Sequence, residues 1–298
     1  MRLIQRSAYN RRHDQSRRKA GLTTLVPLLV LPFPAIDPVL IQIGPFAIRW
    51  YALAYILGLV LGWQYLRRLV QRPGWRLTPL DLDDLLLYVT FGVVLGGRLG
   101  YILFYRPGFY LSHPLDALAV WEGGMSFHGG LLGVVVASAW FARRRGLSFL
   151  EIGDALACAT PIGLLLGRLA NFINGELWGR VTDVPWAMVF PGAGPEPRHP
   201  SQLYEALLEG LVLFAVMAWL ARGPREPGAE GRLMGAFLIG YGLARAIAEL
   251  FREPDVHLGF LLGGLTMGQL LSLPMVLVGL ALVAWSYRGA RRSSLERP

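Results

Sequence analysis

The sequence predicts an all-α integral membrane protein of seven transmembrane helices, with the N-terminus outside and the C-terminus in the cytoplasm. Three observations predict it. Hydrophobic residues make up 54% of the 298 and charged residues only 16%, against about 25% charged in soluble domains. Seven apolar stretches approach the roughly 20 residues needed to cross a bilayer. Lys and Arg also alternate between successive loops, as the positive-inside rule requires. A water-soluble single domain is excluded, and the lone Cys158 excludes a disulfide scaffold or a Cys-rich metal framework.

The expected spans run from Phe46 to Leu66, Asp84 to Tyr105, Gly124 to Ala142, Leu150 to Phe172, Ser201 to Ala221, Leu233 to Phe251 and Thr266 to Tyr287. Odd-numbered loops and the C-terminal tail carry fourteen arginines, and even-numbered loops carry four (Arg106, Arg180, Arg198 and Arg252). This split sets the orientation. Residues 1–45 are read as a basic extension with a pre-span segment, 46–287 as the catalytic membrane domain, and 288–298 as a basic cytoplasmic tail. The first nineteen residues hold +6 of the formal +9, so the rest of the chain offers no nucleic-acid surface. That basic start resembles a secretory signal, but Pro32, Pro34 and Pro38 and the want of an A-x-A site oppose the reading. It carries no functional weight.

Charge inside a span costs about 2.5–3.5 kcal/mol even on insertion scales and marks function by default. Arg49, Arg98, Arg168 and Arg245 are such residues. With the derived orientation, they fall in outer halves of spans together with Tyr51, Tyr101, Tyr105, His128, Asn171, Glu205, Glu209, Tyr241 and Glu249. Asp154 is the exception, expected at the cytoplasmic interface. Tyr241, Arg245 and Glu249 recur at i, i+4 and i+8, so they share a face and Arg245 can pair with Glu249. Arg98, Tyr101 and Tyr105 share a face of span two in the same way. Guanidinium forks suit a phosphate, so an anionic phospholipid headgroup or another phosphorylated lipid is the expected ligand.

The five histidines show no metal-ligand spacing, and no phosphate-loop motif occurs. Gly96, Gly97 and Gly100 are read as permitting close helix packing. His128, flanked by glycines, is a candidate general base, with a hydrogen-bonded interfacial residue as the plainer reading. A Ser126-based hydrolase is disfavoured, because residues so near in sequence seldom face each other as a catalytic pair. The Gly-, Pro- and Trp-rich segment from Asn174 to Pro200 is expected to form a periplasmic cap or access gate rather than a span.

The run Gly167-Arg-Leu-Ala-Asn-Phe-Ile-Asn-Gly-Glu-Leu-Trp-Gly179 resembles the signature of the bacterial prolipoprotein diacylglyceryl transferase family. So do GGRLGYILFY (96–105), GGMSFHGG (123–130), HPSQLYEALLEG (199–210), YGLARAIAELFREPD (241–255) and TMGQLLSLPM (266–275). The resemblance spans about 230 residues and all seven apolar stretches, but not the first forty or so.

The resemblance implies transfer of the diacylglyceryl group of phosphatidylglycerol to the lipobox cysteine of a prolipoprotein, in the bacterial inner membrane, with glycerol phosphate leaving. It implies no metal or cofactor. By motif, Arg168 and Arg245 are expected to stabilise the departing phosphate and His128 to activate the thiol. Tyr51, Asn171 and Glu249 match family positions, and Glu176, Gly179 and His199 lie in matched motifs. These six are expected to bind substrate, with Arg98, Tyr101, Tyr105 and Tyr241 beside them. Ala170 stands where the family usually has Gly. The alternative, a transporter or flippase of anionic phospholipid, should show inverted repeats and polar residues reaching both leaflets. The sequence shows neither feature, and a receptor-like scaffold would need no charged cavity.

A reporter fused after Pro298 should report a cytoplasmic location, and one inserted near Gly192 a periplasmic one. An external C-terminus would overturn the orientation and the grouping of polar residues in one leaflet.

Overall fold

The computed structural model describes residues 31–34, 36–44, 46–254 and 259–295. The basic run over residues 1–19 lies outside them, and so does His257. The architecture is mostly helical. A hairpin of β1 (Val39–Ile43) and β2 (Phe46–Arg49) precedes α1 (Trp50–Leu69), α2 (Pro79–Tyr105), α3 (Phe127–Arg145) and α4 (Phe149–Ile173). Then come α5 (Ser201–Leu220), α6 (Arg232–Ala248) and α7 (Met267–Leu295). A short helix (Pro107–Ser112) and two 3₁₀ turns lie between α2 and α3.

Among the described residues, four helices are long and apolar enough to cross a membrane: α2, α4, α5 and the Met267–Arg291 part of α7. The others fall short for visible reasons. Helix α6 has 17 residues, and α1 and α3 end in arginines within their last turns.

Two boundaries differ from the sequence reading. Phe46 to Arg49, expected in the first span, are a strand antiparallel to β1, with Ile43 opposite Phe46 and Val39 opposite Arg49. Gly44 at φ +57° makes the turn, and β-branched residues favour the extended form on either side. The hairpin therefore straddles the expected boundary at 45/46. At the other end α7 continues through Arg288 and Arg291, so most of the expected tail is helix.

Local chemistry fixes the helix starts. Thr78 and Asp81 form a reciprocal capping box before Pro79, which opens α2 earlier than the apolar run alone suggests. Ser126 caps α3 by accepting from the Gly129 N–H. Its oxygen thus serves the helix start, a structural role for Ser126.

The helices α2 and α3 approach with almost no space between them. A Cβ on Gly92 would lie 2.6 Å from the Gly133 carbonyl oxygen, and one on Gly100 would lie 2.8 Å from the Gly129 Cα. No larger side chain fits there, consistent with small-residue packing between membrane helices. The apolar core collects Leu66 and Leu69 of α1, Leu82 and Leu85 of α2, Phe141 of α3, Ile152 and Cys158 of α4, and Met217 of α5. These are the late turns of α1, α3 and α5 and the early turns of α2 and α4, so the core sits at one end of the bundle. The polar residues singled out above lie mainly toward the other end.

Candidate active site

Six ionisable side chains meet near the end opposite the core. Glu205 Oε2 lies 2.8 Å from Arg168 Nε and 3.1 Å from Arg245 Nη1, while its Oε1 lies 3.5 Å from Arg252 Nη1. Glu209 repeats the bridge, 3.3 Å from Arg168 Nη2 and 3.4 Å from Arg245 Nη1. Arg245 Nη2 also donates to Glu249 one turn on. The carboxylates of Glu205 and Glu209 are fully buried, and the Arg168 and Arg245 side chains keep 16% and 14% exposure. Three cations and three anions balance, so the cluster is formally neutral.

The backbone makes this possible through an irregularity. Helix α5 is π-helical from Ala206 to Val212, a widening that is common at functional sites. The segment packs against α4 so closely that a Cβ on Gly210 would lie 2.7 Å from that of Leu165. Helix α4 supplies Arg168 from this interface, and α6 supplies Arg245 from the other side. Glu249 is seated over Gly268 of α7, where a Cβ would lie 2.5 Å from Glu249 Oε1.

Around the cluster sits the segment Asn174 to Pro200, which is tied down rather than loose. Asn171 and Asn174 donate to Glu176 Oε1 at 2.8 and 3.2 Å, and Gln202 donates to the Glu176 carbonyl at 2.6 Å. Gly179 donates to the His199 carbonyl at 2.9 Å, and a Cβ there would strike both His199 and Phe251. Arg180 donates to the Glu249 and Arg252 carbonyls, each at 3.0 Å, satisfying main-chain oxygens at the end of α6. Arg198 reaches Gly179 O and Glu253.

His199 belongs to a separate chain of contacts. The Trp186 indole donates to the Tyr204 hydroxyl at 2.6 Å, which leaves that hydroxyl free to donate to His199 Nδ1 at 3.1 Å. Partial burial holds the His199 pKa below its usual 6.5. The neutral imidazole that accepts from Tyr204 is therefore the form present at pH 7.

The residues singled out from sequence separate into groups. Arg168, Arg245 and Glu249 come together, with Tyr241 within electrostatic range of Arg245, Glu209, Arg168 and Glu205. Tyr51 shares a hydroxyl contact of 3.1 Å with Tyr55 and lies within electrostatic range of Glu176 and Arg168. Arg98 does not join them. Its guanidinium donates to the carbonyls of Asp116, Ala117, Gly123 and Gly124 at 2.6, 2.9, 2.6 and 3.3 Å. Where the sequence suggested a phosphate-facing fork, four main-chain oxygens occupy it. Tyr101 lies on the Gly124 backbone and stacks on Tyr105 at 5.4 Å. His128, in the first turn of α3, is exposed, and no hydrogen bond or ion pair joins it to the cluster among the described residues.

Three contributors are not among the site residues expected from sequence. Glu205 and Glu209 were placed at the right depth without a partner, and Arg252 was counted among loop arginines. Their i, i+4 spacing was the available signal for the two glutamates. No cluster of His, Cys, Asp and Glu able to hold a metal ion occurs among the described residues.

Glu205→Ala should destabilise the protein by about 3–5 kcal/mol, because three largely buried guanidiniums lose their shared counter-ion. Glu253→Ala, at a pair with 43% exposure on the acid, should cost under about 1 kcal/mol. Denaturant unfolding in detergent micelles would compare the two, and equal losses would refute the shared counter-ion account.

A family model described as prolipoprotein diacylglyceryl transferase matches residues 38–285. The phosphatidylglycerol–prolipoprotein diacylglyceryl transferase of Paramagnetospirillum magneticum is 61% identical over 267 residues, covering 89% of this chain and 98% of that protein. The enzyme of the same name from Methylocella silvestris is 61% identical over 266 residues, covering 87% and 97%. That of Azospirillum brasilense is 58% identical over 263 residues, covering 88% and 98%.

Proposed function

The chain belongs to the prolipoprotein diacylglyceryl transferase family, and from that premise we propose that it transfers the diacylglyceryl group of phosphatidylglycerol to the thiol of a lipobox cysteine in a prolipoprotein. The products are a thioether and glycerol phosphate. The reading includes seven spans in the bacterial inner membrane, with the charged cluster toward the outer leaflet. The observation that carries it is the convergence of Arg168 and Arg245, from two different helices, on the same two buried carboxylates.

In the proposed reaction the thiol proton passes to His128 and the thiolate attacks the glycerol carbon that bears the phosphodiester oxygen. A carbon–sulfur bond forms, the carbon–oxygen bond breaks, and its electron pair leaves with the phosphate. The phosphate charge grows from −1 toward −2 as the bond breaks. Guanidiniums already oriented by Glu205 and Glu209 are suited to stabilise that growth without rearranging. Arg168 uses Nε and Nη2 for its carboxylates, which leaves its Nη1 donors for an incoming phosphate oxygen. Glu176, held by Asn171 and Asn174, and Tyr51 line the approach to Arg168 in this reading.

Purified protein given labelled phosphatidylglycerol and a lipobox peptide should yield labelled peptide. Lysine keeps the charge of arginine but loses its fork, so Arg168→Lys and Arg245→Lys should each lower turnover about 10²-fold or more while the protein still inserts. Near-normal transfer by both would remove the phosphate-fork role.

His128→Gln should lose most at low pH. A free thiol has a pKa near 8.5 and ionises unaided as that value is approached, so the deficit relative to wild type should shrink between about pH 6 and 9. A ratio constant with pH, at saturating phosphatidylglycerol, would exclude His128 as the base.

A further inference from the structure

The N-terminus of α6 has no cap of its own. Gly231 stands at the capping position, and no side chain of the local segment serves it. The cap comes instead from α4. Asp154 Oδ1 accepts from the Met234 N–H at 2.7 Å and Oδ2 accepts from the Gly231 N–H at 2.9 Å. Arg225, from the α5–α6 connection, donates to the same Oδ2 at 2.7 Å and stacks its guanidinium 4.0 Å over the Trp75 ring. Asp154 is fully buried. The fit is close, since a Cβ on Gly153 would lie 2.5 Å from the Met234 sulfur.

The position of this contact along the two helices gives it meaning. Asp154 and Arg168 are separated by fourteen positions on α4, and Gly231 and Arg245 by fourteen on α6. At 1.5 Å per residue both intervals are about 21 Å. The helices therefore run parallel and in matching register, tied at one end by Asp154 and at the other by Glu205 and Glu209, which each contact Arg168 and Arg245. Pro161 lies within the α4 interval and removes one main-chain hydrogen bond there, so α4 alone is a softer ruler than a regular helix.

We infer that Asp154 is a positioning residue, which sets the axial register of α6 against α4 and thereby holds Arg245 level with Arg168. It touches none of the reacting atoms and acts through the helix it caps. The inference rests on the reading of Arg168 and Arg245 as the phosphate-binding pair. It goes beyond that reading in assigning control of their alignment to a carboxylate at the opposite end of the bundle.

The test separates a register tie from an ordinary helix cap. Full-length protein is compared as wild type, Asp154→Ala, and Asp154→Ala combined with Arg232→Asp. The second change puts an acid in the first turn of α6 itself, restoring charge complementarity at the helix N-terminus without a link to α4. Spin labels at the exposed positions Leu169 on α4 and Ile247 on α6 report the α4–α6 alignment by pulsed dipolar distance measurement, and peptide labelling reports turnover.

Asp154→Ala should broaden or shift the label distance by more than about one residue rise, 1.5 Å, and lower turnover at least tenfold. The double variant should regain thermal stability but neither the distance nor the turnover, and it supplies folded protein if the single variant does not accumulate. Wild-type distance in Asp154→Ala, or recovery of distance and turnover in the double variant, would overturn the inference. If wild type itself transfers no lipid, the functional reading fails while the distances still decide the register.

Discussion

The arrangement depends on one buried carboxylate. Glu205 is in contact with Arg168, Arg245 and Arg252 at once, and no part of that group can be removed without leaving charge unpaired in a low-dielectric interior. Each ion costs several kcal/mol to desolvate, so a network of this kind is weak support for stability. Its presence therefore calls for another reason. The surrounding structure conforms to it: α5 widens into a π segment, Gly210 lets that segment press on Leu165, and Gly268 makes room for Glu249.

The segment from Asn174 to Pro200 serves the same end. Loops seldom lie against buried charge, because their main-chain groups must then find partners inside the protein. Here they do. Gly179 bonds to His199, Arg180 satisfies carbonyls at the end of α6, and Gln202 and Ser201 hold the turn that carries Glu176 and Leu177. Leu177 sits at φ +59°, a conformation non-glycine residues rarely adopt, and the Ser201 and Gln202 bonds fix it from either side. Glu176 is thereby held at a set place beside Asn171.

Much of this was legible in the sequence because it depends on spacing along one helix. Apolar runs gave the helices, the cost of intramembrane charge drew out Arg168 and Arg245, and i, i+4 spacing gave the Arg245–Glu249 pair. What was not legible depends on how helices meet. Arg98 looked like its neighbours in span two, yet its acceptors are main-chain carbonyls, which have no sequence signature. Arg252 read as a loop residue because helix α6 ends at Ala248 and the chain turns back on the cluster. The β1–β2 hairpin was hidden because four extended residues merge into an apolar run. Asp154 stands out in the sequence as an exception, but its role as a cap for a helix some eighty positions away is visible only in the α4–α6 contact.

The neutrality of the cluster also bears on catalysis. A site of unpaired arginines would attract a phosphodiester strongly in its ground state, and binding the ground state and the transition state equally well does not raise turnover. Carboxylates that hold the guanidiniums lessen attraction for a singly charged headgroup while keeping their donors aimed. As the proposed carbon–oxygen bond breaks and the phosphate approaches −2, donors already aimed at it stabilise the added charge without reorganising. Preference then falls on the state with the greater charge, provided that Arg168 and Arg245 stay level. In a bundle whose polar end is built on neutralised charge, with its core at the opposite end, that alignment has to be imposed along the helices. The matching fourteen-residue intervals on α4 and α6 supply a physical route by which it is.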